Sequence, residues 1–143
     1  MSTNRANLVT GITTMMTAFI SANPTLLRRH FRSRPSSLVT DWPCSYLDLR
    51  PATVHYDAGL RDTNYTPSIV FVTEAAENGQ TTDLLDQLVD AFTDHLDSYP
   101  HLTAGTSWSD GTWNDEVVDL GDSTYAAGVR WTFGDITFKN GRP

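Results

Sequence analysis

The chain has 143 residues, 39% of them apolar, with four Trp, five Tyr and six Phe, enough to build the core of one domain. Its formal net charge of −7 argues against free DNA or RNA as the primary ligand, because an acidic surface repels phosphate. No apolar run approaches the ~18 residues of a membrane-spanning helix, and the single Cys44 excludes an internal disulfide.

Residues 3–22 read as an amphipathic helix, with Leu8, Ile12, Met15, Met16 and Phe19 recurring at three- and four-residue spacing and Asn23-Pro24-Thr25 stopping it. Gly11 is a poor helix former within it. With one Arg and interspersed polar residues, this N-terminus lacks the shape of a cleavable signal. A basic, breaker-rich segment, LLRRHFRSRPSS, follows and sets Arg28, Arg29, Arg32 and Arg34 around Phe31. CSYLDLRPATVHY reads as a strand interrupted or bent at Pro51, with Cys44 as a small buried hydrophobe. DAGLRD reads as a turn or loop. YTPSIVFVTE is a second strand whose run Ile69–Val72 predicts burial on both faces, with Pro67 at an edge or bulge.

The segment TTDLLDQLVDAFTDHLDSYP predicts a second helix ended by Pro100, with Thr81 or Thr82 as its N-cap. At about 100° per residue, Asp83, Asp86, Asp90, Asp94 and Asp97 fall within about 80° of one another. Leu85, Leu88, Phe92, Leu96 and Tyr99 gather on the opposite side. TSWSDGTWNDEVVDL and STYAAGVRWTFGDITFKN then read as two strands joined by a turn at Gly121-Asp122. In the last, Tyr125, Ala127, Val129, Trp131 and Phe133 alternate with Ala126, Gly128, Arg130 and Thr132. The apolar phase then flips to Ile136 and Phe138, which predicts a bulge or bend at Gly134-Asp135. The order implies an α+β fold: a mostly antiparallel sheet of four to five strands, with the N-terminal helix and the second amphipathic helix packed on one face. The expectation is a single domain over 1–143, with residues 1–34 as helix plus basic connecting segment and 35–143 as the core.

Charge is unevenly distributed. Residues 1–61 hold seven Arg against three Asp, a balance of +4, while residues 62–143 hold fourteen acids against Arg130, Lys139 and Arg142, a balance of −11. Such a molecule can associate head-to-tail with copies of itself, in rings or filaments. The Asp stripe lies opposite its own helix's apolar face, in water or toward a partner or channel. Acid–base catalysis would need burial or a partner there. His30, His55, His95 and His101 lack an HExxH motif or cysteine partners for zinc, although His95 and His101 can converge beyond Pro100. There is no GxSxG elbow and no phosphate-cradling loop, so no catalytic, cofactor or metal-ligand set emerges. Arg28, Arg29, Arg32 and Arg34 form the one candidate anion site, able to grip phosphate or to pair with acids of a neighbouring subunit; the acidic remainder favours the subunit. Trp108 and Trp113 can form an exposed aromatic patch, with core or hairpin packing the simpler role.

Several stretches together carry a resemblance: the N-terminal helix, LRPATVHYDAGLRDTNYTPSIVFV, the acidic helix TTDLLDQLVDAFTDHL after its hydrophobic strand, and the closing STYAAGVRWTFGDITFKNGRP with its GDI. The pattern resembles the tail terminator (tail completion) proteins of long-tailed bacteriophages. The basic stretch 28–34 and the Met-rich character of the first helix add nothing to that likeness. The resemblance implies a non-enzymatic virion protein without cofactor or membrane contact, assembled in the host cytoplasm and placed at the tail–neck junction. It implies a homo-hexameric ring that caps the major tail tube protein, ends tube polymerisation and docks to the head–tail connector or stopper protein, while DNA passes through the channel without specific binding. Arg28, Arg29, Arg32, Arg34, Asp83, Asp86, Asp90, Asp94 and Asp97 then become candidates for inter-subunit or channel-facing charge. The alternatives are a head-completion or stopper protein of the neck, or a small accessory binding module.

Overall fold

The central strand of the molecule is apolar on both sides, and the rest of the chain is arranged to cover it. In the computed structural model, residues 4–35, 43–73, 80–121 and 124–141 are described. They form α1 (Asn4–Ala22), β1 (Arg29–Phe31), β2 (Cys44–Asp48), β3 (Thr53–Asp57), β4 (Leu60–Tyr65), β5 (Ser68–Val72), α2 (Gln80–Leu96), β6 (Thr106–Ser107), β7 (Gly111–Gly121), β8 (Thr124–Phe133) and β9 (Ile136–Gly141). The fold is α+β and mostly antiparallel, with strands divided between a five-stranded sheet, β1-β2-β5-β8-β7, and a four-stranded sheet, β3-β4-β9-β6. Only the β1–β2 pair is parallel among the described pairs.

Several sequence features mark places where the chain changes sheets. Pro51 separates β2 from β3, which belong to different sheets rather than to one bent strand. The phase flip at Gly134-Asp135, read from the sequence as a bulge or bend, hands the chain from β8 to β9 in the second sheet. At this corner three connections meet: the Phe133 N–H donates to the Pro67 carbonyl (3.0 Å) and the Gly134 N–H to the Asp110 carbonyl (2.7 Å). The run 106–121 is likewise two strands, β6 and β7, in different sheets. DAGLRD is a tight hairpin whose two-residue turn, Ala58-Gly59, has both φ angles positive (49° and 82°), the signature of a type I′ turn. The basic segment, expected to be purely connecting, contains the edge strand β1.

Both helices lie on one face of the five-stranded sheet. Leu8, Ile12, Met15, Met16 and Phe19 of α1 are buried, as their spacing requires, and join Leu88, Phe92 and Leu96 of α2 over Ile69, Phe71, Val129 and Trp131. Residues 4–34 are therefore tied into the same core as the remainder, through α1 and Leu27. Gly11, a weakness by propensity, is where α1 touches the loop after α2: a Cβ there would overlap the Leu102 carbonyl. α2 starts at Gln80, so Thr81 and Thr82 are inside it rather than before it, and their side chains lie outside the described residues. Asp122 of the expected turn also lies outside them; Gly121 pairs with Thr124 across it.

A chain of ring contacts ties the layers together. Phe19 meets Phe92 edge-on at 5.2 Å, Phe92 meets Phe71 at 4.9 Å, Phe71 meets Trp113 at 5.8 Å, and Trp113 meets Trp131 at 5.3 Å. Trp108 continues the series onto Phe133 at 5.1 Å, and its indole N–H donates to the Tyr99 carbonyl (2.8 Å). Trp108 and Trp113 thus take the packing role, not the exposed one.

Two substitutions test this architecture. Phe92→Ala opens a cavity among α1, α2 and β5 and is expected to cost about 3–5 kcal/mol in chemical denaturation; a cost below about 1 kcal/mol would mean the helices do not dock there. Ala58→Asn suits the left-handed conformation better and is expected to raise stability by roughly 0.5 kcal/mol, visible as a small rise in Tm; a fall would rule out the type I′ turn.

Candidate functional site

The two charge clusters named from the sequence are both at the surface, the acidic one on and just after α2 and the basic one on and around edge strand β1. Asp83, Asp86, Asp90, Asp94 and Asp97 are all exposed, opposite the buried Leu88, Phe92 and Leu96 of α2. The stripe is not uniform in surroundings: Asp86 and Asp90 join Asp115 of edge strand β7 around a groove of about 660 Å³, whose apolar lining includes Trp113 and Val129. Asp83, Asp94 and Asp97 are not among the residues lining it.

Arg28, Arg29, Arg32 and Arg34 are likewise exposed but diverge. Arg28 precedes edge strand β1, its backbone N–H donating to Pro43 (2.8 Å), and Arg29 stacks its guanidinium over Phe31 at 4.5 Å. Arg32 reaches the Thr10 hydroxyl of α1 at 3.4 Å. Arg34 donates to the Asp119 carbonyl of β7 at 2.6 Å and lies over the Tyr46 ring at 5.8 Å. Phe31 and Arg34 therefore lie on the sheet face away from the helices, where Cys44, Tyr46, Val70, Val72, Val118 and Ala126 form a second small core. Cys44 is buried there, as expected of a small hydrophobe.

That second face also holds the strongest ion pair described, one that sequence reasoning missed. Arg130 donates from Nε and Nη2 to the two Glu116 oxygens (3.0 and 3.1 Å) and from Nη1 to Asp48 (2.7 Å). Hydrogen bonding to Glu116, then to Asp48, raises the already high pKa of Arg130 against the opposing effect of burial. The available signal was its isolation: no other basic residue lies between Arg61 and Lys139. Burial also raises the Tyr46 phenol, with Arg34 and Arg130 pulling the other way.

The histidines do not form a site together. His95 donates from Nε2 to the Met15 carbonyl (3.0 Å) and packs against Phe19 and Tyr99, whereas His101 Nδ1 donates to the Thr106 carbonyl (2.5 Å), so the pair does not converge on a common ligand. His55 is exposed on β3. His30 Nδ1 lies 2.7 Å from Ser45 Oγ, a spacing compatible with a base and nucleophile. Ser45 is fully buried, however, and His30 Nε2 is buried with no hydrogen-bond partner among the described residues, so this pair cannot meet a substrate. Among the described residues no group of three or more His, Cys, Asp or Glu could hold a metal ion, and no helix is long and apolar enough to cross a membrane.

The remaining unusual feature is apolar. Val54, Tyr56, Leu60, Val117 and Tyr125, each between 45% and 75% exposed, all lie on two hairpins, β3–β4 and β7–β8. Val54 and Tyr56 share the sheet face of Thr63, Tyr65 and Phe138, so they extend the core face beyond what the chain covers. Val117 and Tyr125 likewise continue the face of Val129 and Trp131 beyond the helices.

The sequence matches no protein-family model and no curated protein.

His30 offers a test of the β1 environment. Burial lowers its pKa from 6.5 to about 4, so it is neutral in the fold, while the unfolded chain takes up the proton below about 6.5. Between these values the unfolded state binds more protons, so stability falls as the pH drops through that window. His30→Gln is expected to flatten the decline of Tm from pH 6.5 to 4, removing an effect on the order of 2 kcal/mol. Parallel curves for the two proteins would show that the ring is not desolvated.

Proposed function

We propose that the protein is a ring-forming structural protein of a phage tail, a tail terminator that caps the tail tube and docks it to the head connector. The observation that carries this reading is the sorting of charge to the two edge strands of one sheet. Arg28 and Arg29 flank and begin β1, while Asp115 on β7 joins Asp86 and Asp90 of α2. A surface positive at one edge and negative at the other pairs with a translated copy of itself, not with a two-fold mate, and that heterologous contact closes into a ring when its rotation permits. Screened surface pairs set register and partner choice more than affinity. The exposed apolar residues of the two hairpins supply buried area at such contacts, either between copies or onto the tube. Asp83, Asp94 and Asp97, outside the groove, are the carboxylates left to face a channel, where they repel passing DNA rather than bind it.

Light scattering on the purified chain provides the test, with negative-stain imaging alone and with tail tubes. The expected result is a closed ring, of six copies if the likeness to tail terminators holds, that weakens as salt is raised past the screening range. Asp86→Arg with Asp90→Arg is expected to lower the mass toward the monomer, and adding Arg28→Asp with Arg29→Asp to restore it. A chain that stays monomeric at every salt concentration and binds no tube end would end this reading; rings that bind the portal vertex instead would move it to a neck stopper.

A further inference from the structure

Half of the arginine cluster does not face outward at the β1 edge. Arg32 and Arg34 turn toward a cavity of about 420 Å³, beside the part of β2 that β1 leaves unpaired, and Arg5 from the first turn of α1 joins them there. Arg130 also reaches its wall, but Glu116 and Asp48 already neutralise that guanidinium. Among the described residues Asp48 is the only carboxylate that lines the cavity, and it is engaged by Arg130. Three cations therefore stand in surplus around one cavity.

The position of Arg5 sharpens the point. A cation in the first turn of a helix opposes the positive end of the helix dipole, and α1 has no acidic residue in that turn to offset either. Three guanidiniums and a helix start assembled around one cavity disfavour the molecule's own electrostatics unless an anion completes them. We infer that this cavity binds a phosphate monoester, held by Arg5, Arg32 and Arg34. Guanidinium forks match tetrahedral oxyanions in bidentate fashion, and a dianion answers several of them at once. The volume is that of a small-molecule site, larger than a bare phosphate requires. Val9, Leu47, Leu49 and Tyr46 add apolar surface to the lining for the organic part of the ester. The phosphate can belong to a small molecule or stand at the end of a nucleic-acid strand.

Binding is read by calorimetry at low ionic strength with three probes: inorganic phosphate, a nucleoside 5′-monophosphate and a short single strand with or without a 5′-phosphate. Inorganic phosphate is expected to bind, and Arg5→Ala with Arg32→Ala to weaken it at least tenfold, while Arg61→Ala, loss of a single cation elsewhere, leaves it unchanged. Arg5 and Arg32 are both exposed, so the double variant is expected to fold with native circular dichroism. Tighter binding of the mononucleotide than of the phosphorylated strand assigns the small-molecule source, and the reverse order assigns the strand end. Failure of every probe, unchanged binding in the double variant, or equal affinity for phosphorylated and unphosphorylated strands overturns the proposal. Mass measured in parallel separates it from the ring reading: a double variant that loses assembly while the native protein binds no phosphate makes the cavity an inter-subunit socket and likewise overturns it.

Discussion

The constraint on which this molecule depends is that β5 is buried on both faces. Ile69 and Phe71 point to the helices, and Val70 and Val72 point away from them, all fully buried. A strand of that kind cannot sit at a solvent-facing surface, so two covers are required. The helices supply one with long aromatic and aliphatic side chains. The other face has a much smaller core, and Phe31 with the Arg34 guanidinium anchored on Asp119 lies over it. The location of the basic segment follows from this need: it must carry one ring inward while its arginines stay at the rim. Arg29 over Phe31 and Arg34 over Tyr46 show how both demands are met, since a guanidinium can lie flat on a ring and keep its edge in water.

What could be read from the chain was what is local and periodic. α1, α2, β5 and β8 each repeat a strong pattern over several residues, and each forms where its pattern runs, although α2 stops at Leu96 short of Pro100 and β5 and β8 fill only part of their expected segments. The breaks were also legible: Pro51, Gly134 and the Ala58-Gly59 turn each mark a real boundary. Their meaning was not. A phase flip looks the same whether the strand bulges or leaves for a second sheet, because the difference is set by distant partners such as Pro67 and Asp110. β1 is three residues long and pairs in parallel with a strand well downstream, which leaves no local trace. Of the candidate site residues, exposure of the Asp stripe followed from helix geometry. The division of the arginines between the edge and the cavity, and the recruitment of Arg5, depend on how α1 docks and could not.

Arg130 explains why the acidic half of the sequence keeps its surplus at the surface. As the one base in a long acidic stretch, it might have balanced the α2 stripe. Instead it is held on the opposite sheet face by Glu116 and Asp48, with its side chain only 15% exposed. A partly buried guanidinium needs its partners in place, since removing one leaves charge uncompensated. The stripe consequently has no internal counter-ion of that strength among the described residues, and its field is left for water or another molecule. The same arrangement commits Asp48, the carboxylate among the described residues that line the cavity of Arg5, Arg32 and Arg34.

The two hairpins then bear on how such a molecule stays in solution alone. Each extends a core face beyond its cover, and an uncovered apolar strand pair is a hazard for unspecific pairing. On β3–β4 the apolar residues are interrupted by polar and charged neighbours, with Thr53 and His55 alternating with Val54 and Tyr56 and Arg61 opposite Tyr56. On β7–β8, Asp115 and Asp119 flank Val117 on the same face. Carboxylates placed on both sides of an exposed Val disfavour contact with another apolar, uncharged edge but not with one bearing arginines. Charge at these hairpins therefore acts as a filter on which surface may cover them. That is the property expected where association must follow one geometry, and it ties the apolar exposure to the charge separation as parts of a single recognition device.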